Sequence, residues 1–174
     1  MTELKRPVMT TPRDVYTRRA TPQDQGEILK FTLDEAMDAE GRVESVEVIE
    51  RAISRALHSP KDTAHYFVAC RRVDADQDEL LGHVSVTREW SDWNDAHYVW
   101  ITSMYVKPSS RGQGVMGALI EEVDEYARSI GSPEVRIYVH QDNERGGRAW
   151  RREGFVETSY WMGHRRVSPK SELL

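Results

Sequence analysis

Cysteine is almost absent from this chain: Cys70 is the only one in 174 residues. No intrachain disulfide can form, and a reducing, cytoplasmic setting is the simplest expectation. Cys70 closes the run Tyr66-Phe67-Val68-Ala69-Cys70, which predicts a strand, so its thiol reads as core packing rather than a nucleophile. The 6 histidines include no i, i+4 pair and have no cysteine partners, which argues against a metal site. No stretch approaches the ~20 apolar residues that cross a bilayer, and the first residues lack the apolar core of a signal peptide. No membrane partner is expected. Positive charge is not in excess either. The net charge is −5, so nothing in the balance suggests nucleic acid. With 39% hydrophobic and 30% charged residues, the composition is that of an ordinary soluble domain.

What the chain does have is one dense stretch, Met104-Tyr-Val-Lys-Pro-Ser-Ser-Arg-Gly-Gln-Gly-Val-Met-Gly117. It follows Tyr98–Val106, a β-branched and aromatic run that predicts a buried strand. Pro108 ends that strand because it cannot donate to a ladder. Val115, Leu119, Val123, Tyr126, Ala127 and Ile130 then fall on one helical face, and Gly131 and Pro133 stop the helix. A helix N-terminus presents unpaired N–H groups and a partial positive charge. Glycines let phosphate oxygens approach those groups, and Arg111 adds a cation. The unit therefore reads as an anion site, with a steric strand-to-helix turn as the alternative.

Two phosphate motifs fail on context. Gly112-Gln113-Gly114-Val115-Met116-Gly117 matches G-x-G-x-x-G literally, but Lys107–Arg111 separates it from the strand end. The same residues fit G-x-x-x-x-G, but Ala118 stands where a P-loop needs Lys.

The stretch resembles the GNAT acetyltransferase superfamily, whose Gln/Arg-x-x-Gly-x-Gly/Ala motif opens the third helix. Arg111 and Gly114 fit it, and Met116 departs from the usual Gly or Ala. A second family motif, Asn-x-x-Ala-x-x-x-Tyr-x-x-x-Gly-Phe, is echoed by Asn143, Gly146, Trp150, Gly154 and Phe155. Gly replaces Ala there, and Trp replaces Tyr. The resemblance covers about residues 14–163. It resembles most a bacterial subgroup with a Glu-Trp-Ser-Asp-Trp loop. It implies an α/β fold: a mixed, mostly antiparallel sheet of six to seven strands, helices on both faces, and splayed fourth and fifth strands. It also implies acetyl-CoA as co-substrate, no metal, and Arg111, Gly112, Gln113, Gly114, Val115, Met116 and Gly117 around its pyrophosphate. Asn143 matches a position that commonly contacts the cofactor; helix capping is its other role.

In chain order, residues 1–13 read as a loose tail, 14–166 as one domain and 167–174 as a second tail. Val15–Arg19 is a strand. Thr21-Pro22-Gln23-Asp24 starts a helix that runs to about Asp38, and Glu40-Gly41-Arg42 is a turn. Ser45 caps a second helix, which Pro60 ends. Strands follow at Tyr66–Arg71 and Leu80–Thr87, around an acidic hairpin loop, Asp74–Glu79. Then come a polar, aromatic loop, Glu89–Asp95, the central strand and the glycine turn. Val135–His140 is a strand, Asn143–Arg152 a helix and Phe155–Met162 a last strand.

Acyl transfer to an amine needs a held donor, a base, a donor to the carbonyl oxygen and a proton for the thiolate. Met104 and Val106, two apart on a strand, are candidates to pair with the pantetheine arm and polarise the carbonyl. The family's proton donor is a Tyr where this chain has Trp150, which cannot serve as an acid. Tyr138 and Tyr160 are the substitutes by residue type. Glu89, Asp92, Asp95 and His97 precede the central strand and are candidate bases. Trp90, Asp92 and Trp93 combine charge with indole faces, which suits a small cationic amine. Packing under the loop or in a homodimer contact is their other use. The expected function is N-acetylation of a primary amine. A protein N-terminus or lysine as acceptor, a non-catalytic acyl-CoA sensor and a nucleotide-binding module remain alternatives.

Overall fold

A computed structural model describes residues 14–41, 45–60, 63–74, 77–160, 162–163 and 165, with the side chains of 39 and 40 left aside. The two expected tails and Arg42 of the expected turn lie outside these residues. Five strands pair in chain order: β1 (Val15–Arg19), β2 (His65–Arg72), β3 (Asp78–Ser91), β4 (Ala96–Val106) and β5 (Val135–Ile137). The first three pairings are antiparallel and the last is parallel. The helices are α1 (Gln25–Glu40), α2 (Val46–His58), α3 (Val115–Ser129) and α4 (Glu144–Arg152).

The expected six to seven strands are five among the described residues, because Phe155–Met162 supplies none. Residues 155–160 carry no strand pairing, and Val156, Tyr160 and Met162 face solvent. Of this stretch Phe155 packs against the core, while Val156 and Tyr160 bury nothing. Residues 138–140 likewise leave the sheet, so the strand expected over Val135–His140 ends at Ile137. The loop expected from Glu89 is shorter: Glu89↔Tyr98, Trp90↔His97 and Ser91↔Ala96 continue the ladder. Only four residues turn the hairpin, helped by Asp95 at φ 50°.

Each sheet face has its own helix layer. Val115, Leu119, Val123 and Ala127 of α3 pack on Phe67, Ala69, Leu81, Val84, Val86, Val99 and Ile101. On the other face, Ile28 of α1 and Ile53 of α2 pack on Val68 and Cys70. Burial pushes the Cys70 thiol up, consistent with an inert packing role. A β-bulge splits β4. Ser85 pairs with Ser103 and Val86 with Ile101, which leaves Thr102 as the extra residue. Thr102 Oγ1 and Ser85 Oγ are hydrogen-bonded at 2.9 Å. Below the bulge Val99 and Ile101 face α3; above it Tyr105 meets Phe31 of α1, ring to ring at 5.6 Å.

The entry to α1 follows its sequence. Thr21-Pro22-Gln23-Asp24 makes a 3-10 turn, in which the Thr21 N–H donates to Asp24 Oδ2 at 2.7 Å. Arg18 grips the same carboxylate as a fork, at 2.8 and 2.9 Å. Gly41, at φ 66°, ends the helix with its N–H on Met37 O at 3.2 Å. Burial alone would push the Asp24 carboxyl up. The Arg18 fork and the Thr21 donors together outweigh it and hold the carboxyl below its ordinary range.

Asp24→Asn should therefore cost about 1.5–3 kcal/mol, the worth of a charge-assisted hydrogen bond. At this chain length that lowers Tm by about 3–12 °C. A depressed carboxyl stabilises the fold above its unfolded value, near 3.9, and the gain is lost as pH falls through the folded value. Thermal melts across pH should show the gap between wild type and Asp24→Asn closing on acidification. A gap independent of pH would contradict the assignment.

Candidate active site

β4 outruns its parallel neighbour. The β4–β5 pairs are Val99↔Val135, Trp100↔Arg136 and Ile101↔Ile137, whereas β4 continues to Val106. Beyond Ile101 the two strands part. A cleft of about 480 Å³ opens between the end of β4, the start of α3, residues 138–140 and the inner face of α4. Glu35 and Asp38 of α1 close it from the other side.

The α3 wall is built by the glycines. Pro108–Ser110 forms a 3-10 turn, and Gly112 and Gly114 adopt left-handed φ values of 74° and 78°. An ordinary L-residue resists that conformation. The turn brings Val115, Met116 and Gly117 into the first turn of α3, where N–H groups lack intrahelical partners. A Cβ on Gly112 would meet nothing within 4 Å, so that side of the turn is open. The Gln113 side chain turns away, donating to Ser109 O at 2.8 Å and accepting from Arg71 at 3.1 Å. Only its backbone faces the turn's own chemistry.

Arg111 is held on three sides. Its Nε donates to Val106 O at 2.9 Å, its Nη2 reaches Asp38 Oδ2 at 2.7 Å, and it lies over the Tyr105 ring. Arg145 joins the same Asp38 oxygen at 3.1 Å. The Arg111 guanidinium, with Arg145, holds the Asp38 carboxyl below its ordinary range. The Met104 N–H donates to Glu35 Oε1 at 3.0 Å, and Ser103 Oγ donates to Glu35 Oε2. Both strand positions expected to face a ligand are thus engaged by other groups: Met104 through its N–H, Val106 through its carbonyl.

Asn143 lines the cleft and caps α4, its Oδ1 accepting the Gly146 N–H at 2.8 Å. A Cβ on Gly146 would lie 2.7 Å from Asn143 Nδ2, which explains Gly where Ala was expected. Trp150 and Tyr138 also line the cleft. Trp150 meets Phe155 edge-on at 5.2 Å, and Tyr138 tilts against Trp100 at 6.0 Å.

Glu89, Trp90, Asp92 and Trp93 of the hairpin do not line this cleft. Glu89 pairs with Tyr98 and Trp90 with His97, six to seven residues along β4 from Met104. At ~3.3 Å per residue that is about 20 Å. Glu89 accepts from Trp100 Nε1, and Trp90 Nε1 donates to Asp92 Oδ1 at 2.7 Å. Trp93 is 96% exposed, so it packs neither under the hairpin nor in the cleft. Glu35 and Asp38, by contrast, carried no signal in a sequence reading. Two carboxylates three apart on a helix resemble a solvated face, and their partners are 69 and 73 residues away.

The sequence matches the acetyltransferase (GNAT) family model over residues 29–155. No curated protein matches it significantly. Among solved structures, a possible acetyltransferase from Clostridium difficile 630 is 23% identical, with a TM-score of 0.79 over 89% of this chain and 99% of its own. A predicted acetyltransferase from Clostridium acetobutylicum, solved with acetyl-CoA, is 15% identical, with a TM-score of 0.68 over 87% and 96% of the two chains. AAC(6')-Iy, solved with the bisubstrate analogue CoA-S-monomethyl-acetylneamine, is 18% identical, with a TM-score of 0.68 over 88% and 99%. At these identities the likeness is one of fold.

The glycine turn makes its own prediction. Gly114→Val forces a β-branched side chain into φ 78°, at a cost of about 1–2 kcal/mol or more. A thermal melt should show Tm lower by about 2–8 °C. Gly26→Ala, inside α1 with nothing within 4 Å of its Cβ, should leave Tm unchanged or higher. Equal effects of the two substitutions would contradict the geometry.

Proposed function

Since the chain belongs to the GNAT family and is an N-acetyltransferase, we propose that it moves the acetyl group of acetyl-CoA to a primary amine, a small cationic one. The observation that carries this reading is the cleft itself. It runs from the start of α3, beside Arg111, to the end of β4 that no strand pairs, where the Met104 N–H is held only by the Glu35 side chain. A pyrophosphate needs the first of these and a thioester carbonyl the second.

In this reading Arg111 and the backbone N–H groups of Gly112–Gly117 hold the pyrophosphate. The open flank of Gly112 gives the oxygens room. Met104 donates to the acyl carbonyl and Val106 pairs with the pantetheine arm. Asn143 contacts the arm through Nδ2, because Oδ1 is committed to its cap. Tyr138 is the proton donor to the departing thiolate, since Trp150 lines the same cleft without a usable proton. A cationic acceptor is favoured by Glu35, the carboxylate beside the Met104 N–H, whereas Asp38 is paired with Arg111 and Arg145. Trp90, Asp92 and Trp93, about 20 Å along the strand, could touch only the far end of a long acceptor.

Binding is tested by calorimetry. Acetyl-CoA should bind and NAD should not. Arg111→Ala should weaken acetyl-CoA by about 1–3 kcal/mol. Asp38→Asn, which removes the carboxylate held by Arg111, should tighten it. Equal affinity for wild type and Arg111→Ala would refute the role of the turn.

Turnover is tested by thiol release on a panel of diamines, polyamines, aminoglycosides and peptides with a free N-terminus or lysine. Small cationic amines should be preferred; preference for neutral or anionic acceptors counts against the reading. Trp150→Phe should keep most of the turnover, and Tyr138→Phe should lose about 10²-fold or more. The reverse ranking would transfer the proton-donor role to position 150.

A further inference from the structure

The Met104 N–H is the donor that the proposed function assigns to the acyl carbonyl, and a carboxylate already sits on it. Glu35 Oε1 accepts that N–H at 3.0 Å, while Oε2 accepts from Ser103 Oγ. Ser103 Oγ is in turn 2.9 Å from His83 Nε2. Since the Ser103 hydroxyl gives its proton to Glu35, it must accept from His83, which fixes the proton on Nε2. His83 is fully buried, and that burial lowers its pKa to about 3, so it stays neutral. Its Nδ1, the bare lone pair, has no partner among the described residues. The chain of donors, His83 to Ser103 to Glu35, points one way and ends on a carboxylate at the cleft.

We infer that Glu35 is the base of the transfer, and that the incoming acyl group arms it by taking the Met104 N–H away from it. The inference rests on the acetyl-CoA reading above. A thioester oxygen on Met104 N–H displaces Oε1 but leaves Oε2 on Ser103. The freed oxygen then lies beside the carbonyl carbon, on the α1 side of β4, where the acceptor must come in. An anion so close to a developing oxyanion is repulsive unless a cation stands between them, which selects an ammonium over water. The ammonium gives one proton to Glu35. The nitrogen lone pair forms the C–N bond while the carbonyl π pair moves to oxygen on Met104 N–H. That pair returns as the C–S bond breaks. Tyr138 gives its proton to the leaving thiolate and is reprotonated by the second nitrogen proton, so one proton is released overall, from Glu35 to solvent.

The same geometry makes two opposed effects. Glu35→Ala removes both the competitor for Met104 N–H and the base. Calorimetry with acetyl-CoA and with CoA, which lacks the carbonyl, should show the preference for acetyl-CoA rising by about tenfold or more. Turnover with the best amine of the panel should fall by about 10²–10⁴-fold. Glu35→Gln keeps a hydrogen-bond acceptor of the same shape. It should leave the preference near the wild-type value and still lose turnover, which guards against a folding defect in the alanine variant. A merely structural residue would weaken ligand and turnover together. An unchanged acetyl-CoA preference in Glu35→Ala, or full turnover in Glu35→Gln, overturns the inference and leaves the acetyl-CoA reading intact. If the wild type binds neither acetyl-CoA nor CoA, the acetyl-CoA reading falls first and this one with it.

Discussion

Everything at the cleft depends on a strand pairing that stops early. β5 offers three residues to a β4 of eleven, so β4 keeps an open edge from Thr102 onward. Unpaired backbone groups on such an edge demand partners. Here they are met by side chains rather than by another strand: Glu35 on the Met104 N–H, Arg111 on the Val106 carbonyl. These are bonds a ligand can exchange for its own. A fifth pairing along this edge would have made a more regular sheet and closed the cleft.

α1 supplies the counterpart to that edge. Its carboxylates at 35 and 38 stand one turn apart and engage an amide and a guanidinium. In the proposed acyl-CoA complex those two groups are the ones assigned to the carbonyl and the phosphates. The helix is fixed at its other end by the Arg18–Asp24 fork, so its approach to β4 is set by a charge pair at the start and by exchangeable bonds near the end. Phe31, between them, is fully buried against His83 and Tyr105 and gives the helix a rigid middle.

Much of this was legible in the residues, and what was not has a physical reason. The α3 stripe and the glycine turn are local signals, and each appears where the spacing places it. The Asn143 cap was legible because its partner is only three residues away. Phe155–Met162 has a strand's pattern, but alternation records a pattern, not a partner, and no strand among the described residues pairs with 155–160. Glu89 and Asp92 immediately precede β4 in sequence, which is what makes them candidate bases. In an antiparallel hairpin, nearness in sequence to the start of a strand is distance from its end. Glu35 is illegible in the sequence for the converse reason: its contact with β4 spans 69 residues, and no local pattern encodes it.

The bulge at Thr102 decides the parity of β4. Along an unbroken strand the odd-numbered residues would all face one helix layer. Here Val99 and Ile101 belong to the α3 core, whereas Ser103 and Tyr105 belong to α1. One inserted residue shifts the phase of everything after it. Were Thr102 deleted, every residue named in the cleft would still be present in the sequence. Yet Tyr105 would turn toward α3, and Met104 would trade its place with its neighbour. The site is thus written partly in the count of residues between two hydrogen bonds, a quantity that identity at the site positions does not record.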